Sequence, residues 1–287
     1  MPEISSTKLS LNPDLLPSGP HARVLDVGCG DGRHIAIAAE RRTYAVGVDY
    51  DPAELRKSKA RLGRARLAAT GARVDRPAPV DLIAADASHL PFRPDAFDAV
   101  ICTETLEHLP DDTGAMREIA RVLTPGGLLH GAVPSHFTEI PYFALSPGYR
   151  NAPGGHVRIY APKRLFAKLH RAGFQIDQMR YVHFVDSLVW LRFCLTDFLR
   201  PSPKPRSAFE AAVMIAVAAE RPIPTWRTRL RQALARSKFI AACESVGALI
   251  WPKSLTFVAI KAATSRTHDR PATLHESAVA PVPSEAV

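Results

Sequence analysis

The sequence has few cysteines and no long apolar run. Its four cysteines are scattered, without a C-x-x-C pair or the spacing of a metal site, which indicates reduced thiols and a cytoplasmic protein. The most apolar stretch covers only residues 211–219, far short of the about 18 residues that a membrane span needs. The N-terminus also lacks a basic region followed by an apolar one. We therefore expect neither a disulfide scaffold, nor a membrane span, nor a secreted protein.

Acidic side chains are in the minority. The 287 residues carry a net charge of +9, which leaves open an anionic partner, a membrane surface or a solvated exterior. Residues 55–66 hold six basic side chains and no acid. Aromatic side chains, on which nucleic-acid bases stack, are missing there, so a solvated helix face is favoured over nucleic-acid contact. Residues 185–254 hold eleven Lys or Arg against five Asp or Glu and supply most of the net charge.

Strand and helix patterns alternate along the first two thirds of the chain. Short apolar runs predict strands, and apolar residues at helical spacing predict helices between them. This alternation predicts an α/β fold, namely a Rossmann-like, doubly wound, seven-stranded sheet. The predicted strands cover residues 23–27, 44–48, 80–84, 97–103, 128–133, 174–184 and 255–261. The predicted helices cover about 32–41 and 52–69, one that Thr113 caps, and one that begins at Pro162.

The stretch VLDVGCGDG (24–32) is the most informative part of the sequence. An apolar strand leads into a glycine turn and a helix, where the backbone approaches a ligand closely and free N–H groups point outward. A dinucleotide fingerprint would need glycine at position 33, where Arg33 stands. Asp26 and Asp31 would in addition repel a pyrophosphate. The turn therefore favours a cationic ligand without phosphate.

Asp49 points to the other half of that ligand. It stands at the end of the second predicted strand, 21 residues after Gly28. An acid at this place in a doubly wound fold binds the ribose hydroxyls of an adenosine, and a carboxylate has enough acceptor oxygens for both. S-adenosylmethionine meets both requirements. It contains an adenosine, and it carries a sulfonium and an ammonium group but no phosphate.

Five motifs together resemble the class I S-adenosylmethionine-dependent methyltransferases of the small-molecule or lipid type. They are VLDVGCGDG (24–32), VGVDYDP (46–52), ADASHLPF (85–92), FDAVICTETLEHLPD (97–111) and EIARVLTPGGLL (118–129). A weaker similarity extends through HVRIYAPKRLFAKLHRAGF (156–174). The resemblance implies methyl transfer with S-adenosylmethionine as cofactor. Residues 184–254 depart from the compact family pattern, which joins the last two strands by a short hairpin.

The resemblance implies residues for the methionine end of the cofactor. Gly28 and Gly30 pass under the methionine part, and Asp26 contacts its amino group through water. Thr103 and Glu104, just after the fourth strand, line the methyl end.

The resemblance also implies residues for the adenosine end. Asp49 takes the ribose hydroxyls, and Tyr50 packs near the adenine. Asp86 accepts a hydrogen bond from the adenine amino group, with the backbone of Ala87 beside it. An ordinary turn acid after a strand is the alternative interpretation of Asp86.

Two histidines are candidate catalytic residues. A hydroxyl acceptor needs a base, and histidine titrates in the useful range. His156 lies in a long aromatic loop over the expected site and is the first candidate, with loop anchoring as its alternative. His108, in a Glu-His-Leu sequence common in the family, is interpreted more readily as a wall of the pocket. No metal site is predicted.

The acceptor is harder to predict. The Asn/Asp-Pro-Pro-aromatic motif, typical of methylation of planar amino groups, is missing after the fourth strand, and so is a cysteine pair for pyrimidine C5 chemistry. Both absences disfavour nucleic acid. The aromatic loop 135–160 and the apolar first half of residues 184–254 favour a closed pocket for a small-molecule or lipid-like acceptor, methylated at oxygen. Peripheral membrane contact through 184–254, with its basic segment 227–238, is a further hypothesis, and a helical lid with a solvated basic face is favoured over it.

The predicted domain organisation has five parts. They are a flexible arm (1–20), the methyltransferase core (21–183), a helical insertion or lid (184–254), the last core strand (255–263) and a disordered tail (264–287). An RNA methyltransferase and a non-catalytic cofactor-binding partner subunit stay open as alternative functions. The oligomeric state cannot be predicted from this sequence.

Overall fold

The computed structural model of the protein describes residues 10–69, 78–152, 154–199 and 246–262. The predicted tail (264–287), the basic segment 227–238 and the first nine residues of the predicted arm lie outside the described residues. Within them, no helix is both long and apolar enough to cross a membrane.

A seven-stranded sheet organises the described residues and confirms the predicted Rossmann-like fold. Its strand order is β3-β2-β1-β4-β5-β7-β6, and only β7 runs antiparallel to its neighbours. The strands are β1 Arg23–Val27, β2 Tyr44–Asp49, β3 Val80–Ala84, β4 Phe97–Thr103, β5 Leu123–Pro134, β6 Phe174–Val182 and β7 Ser254–Lys261. The helices are α1 Arg33–Glu40, α2 Pro52–Ala69, α3 Asp112–Val122, α4 His136–Leu145, α5 Pro147–Arg150, α6 Pro162–Arg171 and α7 Phe184–Leu199.

The central strands are apolar along their length because both faces of the sheet are covered. In β1, Leu25 and Val27 belong to one buried cluster, and Val24 belongs to the cluster on the other face. The strand order reverses between β1 and β4, which pair in parallel. In open α/β sheets a ligand binds outside the carboxyl ends of the strands at such a reversal.

The start of helix α3 and the start of strand β5 differ from the sequence prediction. Asp111, and not Thr113, caps α3: its side chain accepts a hydrogen bond from the N–H of Gly114 at 2.8 Å. Strand β5 begins at Leu123, directly after α3, because Leu123 pairs with Phe97 across a register shift. The turn residues Pro125-Gly126-Gly127 therefore lie within the strand's span and not between helix and strand.

The region predicted as a long loop, 135–160, contains two helices, so that prediction is wrong for its first half. Ser135 caps α4, and Ser146 caps α5. Pro141 lies inside α4, where a sequence pattern treats proline as a helix breaker. Packing holds the helix nevertheless: Tyr142 is buried and its hydroxyl donates to the carbonyl of Ser187 in α7 at 2.5 Å.

Residues 11–16, predicted as part of a loose arm, pack against the sheet. Leu11 and Leu16 are buried in the cluster that contains Ile35 and Ile101. Arg41 donates to the carbonyl of Leu16 at 3.1 Å, which fastens this segment to the end of α1. Burial of two leucines outweighs the proline-rich composition that suggested disorder.

The described start of the predicted insertion is a helix. Helix α7 packs on α4 and α5, since Ser146 donates to the carboxylate of Asp197 at 2.5 Å and the rings of Tyr149 and Trp190 lie 5.3 Å apart. Residues 246–250 are also helical and lead into β7. The domain boundaries otherwise stay predictions.

Candidate active site

The glycine turn after β1 combines a tight backbone with open space. Gly28 and Gly30 have φ values of +71° and +50°, in the left-handed region that favours glycine. A Cβ on Gly28 would lie 2.3 Å from Oγ1 of Thr105, whereas a Cβ on Gly30 would meet no atom within 4 Å. Gly28 is thus required for packing under the turn, and Gly30 leaves room for a ligand above it.

Asp49 is held at the edge of this turn. Its Oδ2 accepts from the N–H of Gly30 at 2.8 Å, and its Oδ1 accepts from the N–H of Asp51 at 2.9 Å. A carboxylate has about four acceptor positions, so each oxygen keeps one for a further donor. The carboxylate is oriented and half-buried, as an acid that binds two ribose hydroxyls needs to be.

Asp26 is buried in β1 with one oxygen unsatisfied. Its Oδ2 has no hydrogen-bond partner, and burial, together with the charge of Asp49, raises the pKa of Asp26 to about 7. Asp31 differs, because it forms an ion pair with Arg61 and is partly exposed. The argument that Asp31 repels a pyrophosphate is therefore weaker than the sequence suggested. Of these two acids, only Asp26 keeps a buried oxygen without a hydrogen-bond partner, which an ammonium group or its bound water would satisfy.

The residues predicted for the adenine lie at the surface. Tyr50 is 84% exposed, and Asp86 is exposed while Ala87 is buried. Oδ1 of Asp86 accepts from the N–H and the hydroxyl of Ser88 at 2.8 and 2.7 Å, and these bonds lower the pKa of Asp86. Oδ1 of Asp86 is thus engaged within its own turn. Its contact with an adenine stays a prediction.

Thr103 and Glu104 end β4 in different environments. The hydroxyl of Thr103 hydrogen bonds Nδ1 of the buried His34 at 2.9 Å, so it joins β4 to α1. Glu104 has a φ of +51°, and its Oε1 is buried without a partner. Of these two side chains, only Glu104 has a buried polar atom without a hydrogen-bond partner.

His156 is part of a hydrogen-bonded group in which Glu139 is buried and His156 and Tyr149 are partly buried. Its Nδ1 lies 2.8 Å from Oε2 of Glu139 in α4, and the hydroxyl of Tyr149 donates to both oxygens of Glu139 at 3.0 and 3.1 Å. Burial, followed by the Glu139 charge, raises the pKa of Tyr149. The carboxylate fixes the tautomer of His156 with the proton on Nδ1, so its Nε2 is the free nitrogen.

His108 lies beside His156, their ring centroids 4.8 Å apart. Nδ1 of His108 is 2.9 Å from the carbonyl oxygen of Gly154, which leaves its Nε2 free as well. Burial, and then the neighbouring His156, lowers the pKa of His108. The structure thus brings together both predicted catalytic histidines.

Glu107 stands under this pair. It is 1% exposed, neither carboxylate oxygen has a hydrogen-bond partner, and its Oε1 lies 3.9 Å from Nε2 of His108. Burial, and then the charge of Glu104, raises the pKa of Glu107 well above its usual value. An ionised carboxylate in this position is costly without a cation or a donor.

The segment after α5 is fastened over the end of β4. The N–H of Val157 donates to the carbonyl of Glu107 at 2.9 Å. Arg158 donates to the carbonyls of Leu106, at 3.1 Å, and Pro110, at 2.8 Å, and pairs with Asp112. These contacts explain why His156 and His108 meet although 48 residues separate them in the sequence.

Sequence reasoning missed three members of this group. Glu107 stood in a quoted motif without a role, and Glu139 and Tyr149 lay in the region predicted as loop. One sequence feature could have drawn attention to Glu107. It is the Glu-x-x-Glu-His spacing of Glu104, Glu107 and His108, which places two acids directly after an apolar strand.

Known proteins match this chain in sequence. Residues 25–130 match a family model described as a methyltransferase domain. The chain is 40% identical over 173 residues to a ubiquinone biosynthesis O-methyltransferase of Xanthomonas axonopodis pv. citri, covering 58% of this chain and 66% of that protein. It is 39% identical over 107 residues to methyltransferase GfsG of Streptomyces halstedii, covering 37% and 36%. The alignments thus span about a third to two thirds of these curated relatives.

Solved structures share the fold. A Bacillus halodurans protein provisionally described as a methyltransferase matches with a TM-score of 0.53 at 18% identity, over 87% of this chain and 96% of that one. The [4+2]-cyclase SpnF matches with a TM-score of 0.53 at 22% identity, over 88% and 80%. At such identity the likeness establishes the fold and not the reaction.

Three features suit an α/β protein that binds a cationic adenosine cofactor. They are the reversed strand order, the open space above the glycine turn and the Asp26 oxygen without a partner. With the family match, this chain belongs to the class I S-adenosylmethionine-dependent methyltransferases. Its cofactor is S-adenosylmethionine, as the sequence predicted. The individual cofactor contacts of the predicted residues stay proposals.

Proposed function

We propose that this protein transfers a methyl group from S-adenosylmethionine to a hydroxyl of a small-molecule or lipid-like acceptor. The observation that carries the proposal is the position of His108 and His156. His108 follows β4 in the segment whose Thr105 packs on Gly28 of the cofactor turn, and the ring of His156, from the segment after α5, lies 4.8 Å from that of His108. Histidine pairs at the methyl end suit a hydroxyl, which has to lose its proton during transfer.

S-adenosylmethionine supplies an activated methyl group on a positively charged sulfur. The acceptor oxygen forms the new C–O bond as the C–S bond breaks, and the sulfur keeps the electron pair. The protein holds Asp26 and Asp49 for the cofactor, orients the acceptor and excludes water. The role of His156 as general base stays a prediction, and its fixed tautomer and free Nε2 support it.

Methylation at oxygen is further supported by the relatives. Several of the matched proteins, at 36–40% identity, are ubiquinone biosynthesis O-methyltransferases. Aromatic side chains surround the histidine pair, since the Phe143 ring stacks 6.3 Å from His156 and Tyr149 lies 5.7 Å from it. Such walls favour an aromatic or otherwise apolar acceptor.

A lipid-like acceptor and peripheral membrane contact find support in α7. Phe193, Phe198 and Leu199 of this helix are 49–74% exposed, and Leu249 and Ile250 are 72–77% exposed. The protein should then sediment together with vesicles of anionic lipid. Loss of this binding in a Phe198→Ser, Leu199→Ser double variant would assign the membrane contact to α7. Binding that these changes leave intact would contradict the assignment to α7.

The test of the proposed function is methyl transfer from labelled S-adenosylmethionine to metabolite and lipid extracts. His156→Ala should lower turnover while S-adenosylhomocysteine affinity is unchanged, and the exposed His170→Ala is the matched control. A protein that binds the cofactor but methylates no extract would instead be a non-catalytic subunit. Label appearing in RNA, with salt-sensitive binding through residues 56–66, would favour the RNA alternative.

A further inference from the structure

We propose that Glu107, His108 and His156 bind one divalent transition-metal cation. One possible ligand atom from each residue lies within 4.8 Å of the others, a spacing that a single ion can bridge with small side-chain movements. The three residues come from two segments, the one after β4 and the one after α5, which the backbone bond between Val157 and Glu107 holds together.

The hydrogen bonds of both histidines are those of metal ligands. A ligating histidine almost always donates its second ring N–H to a carboxylate or a carbonyl, which fixes the ring and its tautomer. His156 has Glu139 in this role, and His108 has the carbonyl of Gly154. Each ring therefore keeps Nε2 for an ion, and Nε2 of His108 already lies 3.9 Å from Oε1 of Glu107.

Glu107 supplies an independent observation. It is 1% exposed and both of its oxygens lack a hydrogen-bond partner. Two further carboxylates, Glu104 and Glu139, act on it electrostatically, and the positive charge of Lys253 opposes them. Among other acids, a buried carboxylate stays ionised only beside a compensating charge, and a divalent cation provides it.

The donor set narrows the choice of cation. Two imidazole nitrogens and one carboxylate suit Zn²⁺, Co²⁺ or Mn²⁺, whereas Mg²⁺ and Ca²⁺ prefer oxygen ligands. Three protein ligands leave at least one coordination position open, as in catalytic metal sites. The sequence predicts no metal site, because His156 lies 48 residues after His108, the neighbour of Glu107.

The consequence for the reaction rests on the proposed function. A cation beside the acceptor would hold its hydroxyl and lower the pKa of that group, so that the proton passes to water before the C–O bond forms. His156 would then be a ligand and not the proton acceptor, and Glu139 would be a positioning residue. The metal site itself does not depend on which acceptor is methylated.

The test measures Co²⁺ binding to the whole chain after treatment with a chelator. Binding is measured by calorimetry and by the visible absorption of the bound ion. We expect one Co²⁺ per chain, with competition by Zn²⁺. Glu107→Gln and His156→Ala should each weaken binding at least about tenfold, and Glu139→Gln about 10–100-fold. His170→Ala, at an exposed histidine outside the cluster, should bind as the wild type does.

Folding of the variants is checked by thermal melting without metal. Glu107→Gln removes an unpartnered buried carboxylate, so it should melt no lower than the wild type while it loses Co²⁺ affinity. The site would be overturned if the protein showed no saturable Co²⁺ binding. It would also be overturned if the folded Glu107→Gln and His156→Ala variants bound Co²⁺ as tightly as the wild type does. Undiminished methyl transfer by chelator-treated protein would overturn its role in the reaction. Co²⁺ binding without methyl transfer to any acceptor would support the site and contradict the proposed function.

Discussion

Glu139 accepts a hydrogen bond from Nδ1 of His156 at 2.8 Å and thereby ties α4 to the segment after α5. The carboxylate is 3% exposed and also accepts from the hydroxyl of Tyr149 at 3.0 and 3.1 Å. A buried, doubly bonded acid of this kind fixes both the position and the tautomer of a histidine. The orientation of His156 is therefore determined by residues that no sequence pattern connects.

Glu139→Gln tests this relationship. The amide cannot accept from His156 as strongly, and it can present its NH₂ group to the ring, so we expect turnover to fall about 10–100-fold. Affinity for S-adenosylhomocysteine should stay the same, because Glu139 lies outside the glycine turn. Tyr149→Phe is the matched control, since it removes a donor to Glu139 and leaves the bond to His156. Equal turnover in Glu139→Gln and the wild type would show that the carboxylate only packs.

Asp49→Ala should weaken S-adenosylhomocysteine binding by about 1.5–3 kcal/mol, the range of a hydrogen bond to a charged group. The reason is the loss of an acid that Gly30 and Asp51 hold in place for the ribose. Asp51→Asn is the control. Asparagine can cap α2 as aspartate does, so this substitution removes a nearby negative charge and keeps the cap. Calorimetry that finds the same affinity in Asp49→Ala and the wild type would refute the ribose role.

Gly28→Ala and Gly30→Ala should fail in different ways. Both residues have positive φ, which costs alanine about 1–2 kcal/mol. Only at Gly28 would the new Cβ also collide with Thr105, so this variant should be the less stable one in denaturant melts. At Gly30 the Cβ would enter open space, so that variant should stay folded and lose cofactor affinity. Similar stability in the two variants, with full cofactor binding by Gly30→Ala, would contradict this division.

We expect His130 to contribute to the pH dependence of the protein's stability. Burial lowers its pKa from 6.5 to about 4, and the ring lines a cavity of about 120 Å³ with Leu11 and Val258. The unfolded chain then binds the proton more tightly, so the stability linked to the neutral ring is complete above pH 6.5 and is lost as the pH falls toward 4.

The measurement is the free energy of unfolding of the wild type minus that of His130→Gln. This difference should fall by at most about 1.4 kcal/mol per pH unit between pH 6.5 and 4. A difference that stays constant over this range would mean that the ring titrates alike in both states.

The part of the fold around the glycine turn could be predicted because its signals are local. Strands β1, β3 and β4 were predicted with the boundaries that the structure has, since each is a short apolar run between turn residues. The turn could be assigned to a cationic adenosine ligand from Arg33, Asp26 and Asp49 alone. These residues lie within one βαβ unit, where position in the sequence fixes position in space.

The acceptor side could not be predicted in the same way. Helix α4 was missed because Pro141 interrupts its pattern, while its stability comes from Tyr142 packing under α7. Asp31 was expected to act on the ligand, and only the structure shows its pairing with Arg61. The partnership of Glu139 with His156 joins α4 to the segment after α5, which in turn bonds the segment after β4. Such contacts between distant segments leave no periodic signal in the sequence.

The most direct test of the central claim is the fate of a deuterated methyl group supplied on S-adenosylmethionine. The protein is incubated with metabolite and lipid extracts, and the products are identified by mass spectrometry, with His156→Ala as the impaired comparison. We predict a small or lipid-like product that carries the deuterated methyl on oxygen and is reduced in the variant. Tight S-adenosylhomocysteine binding with no labelled product in any fraction, or label found only on nucleic acid, would contradict the account.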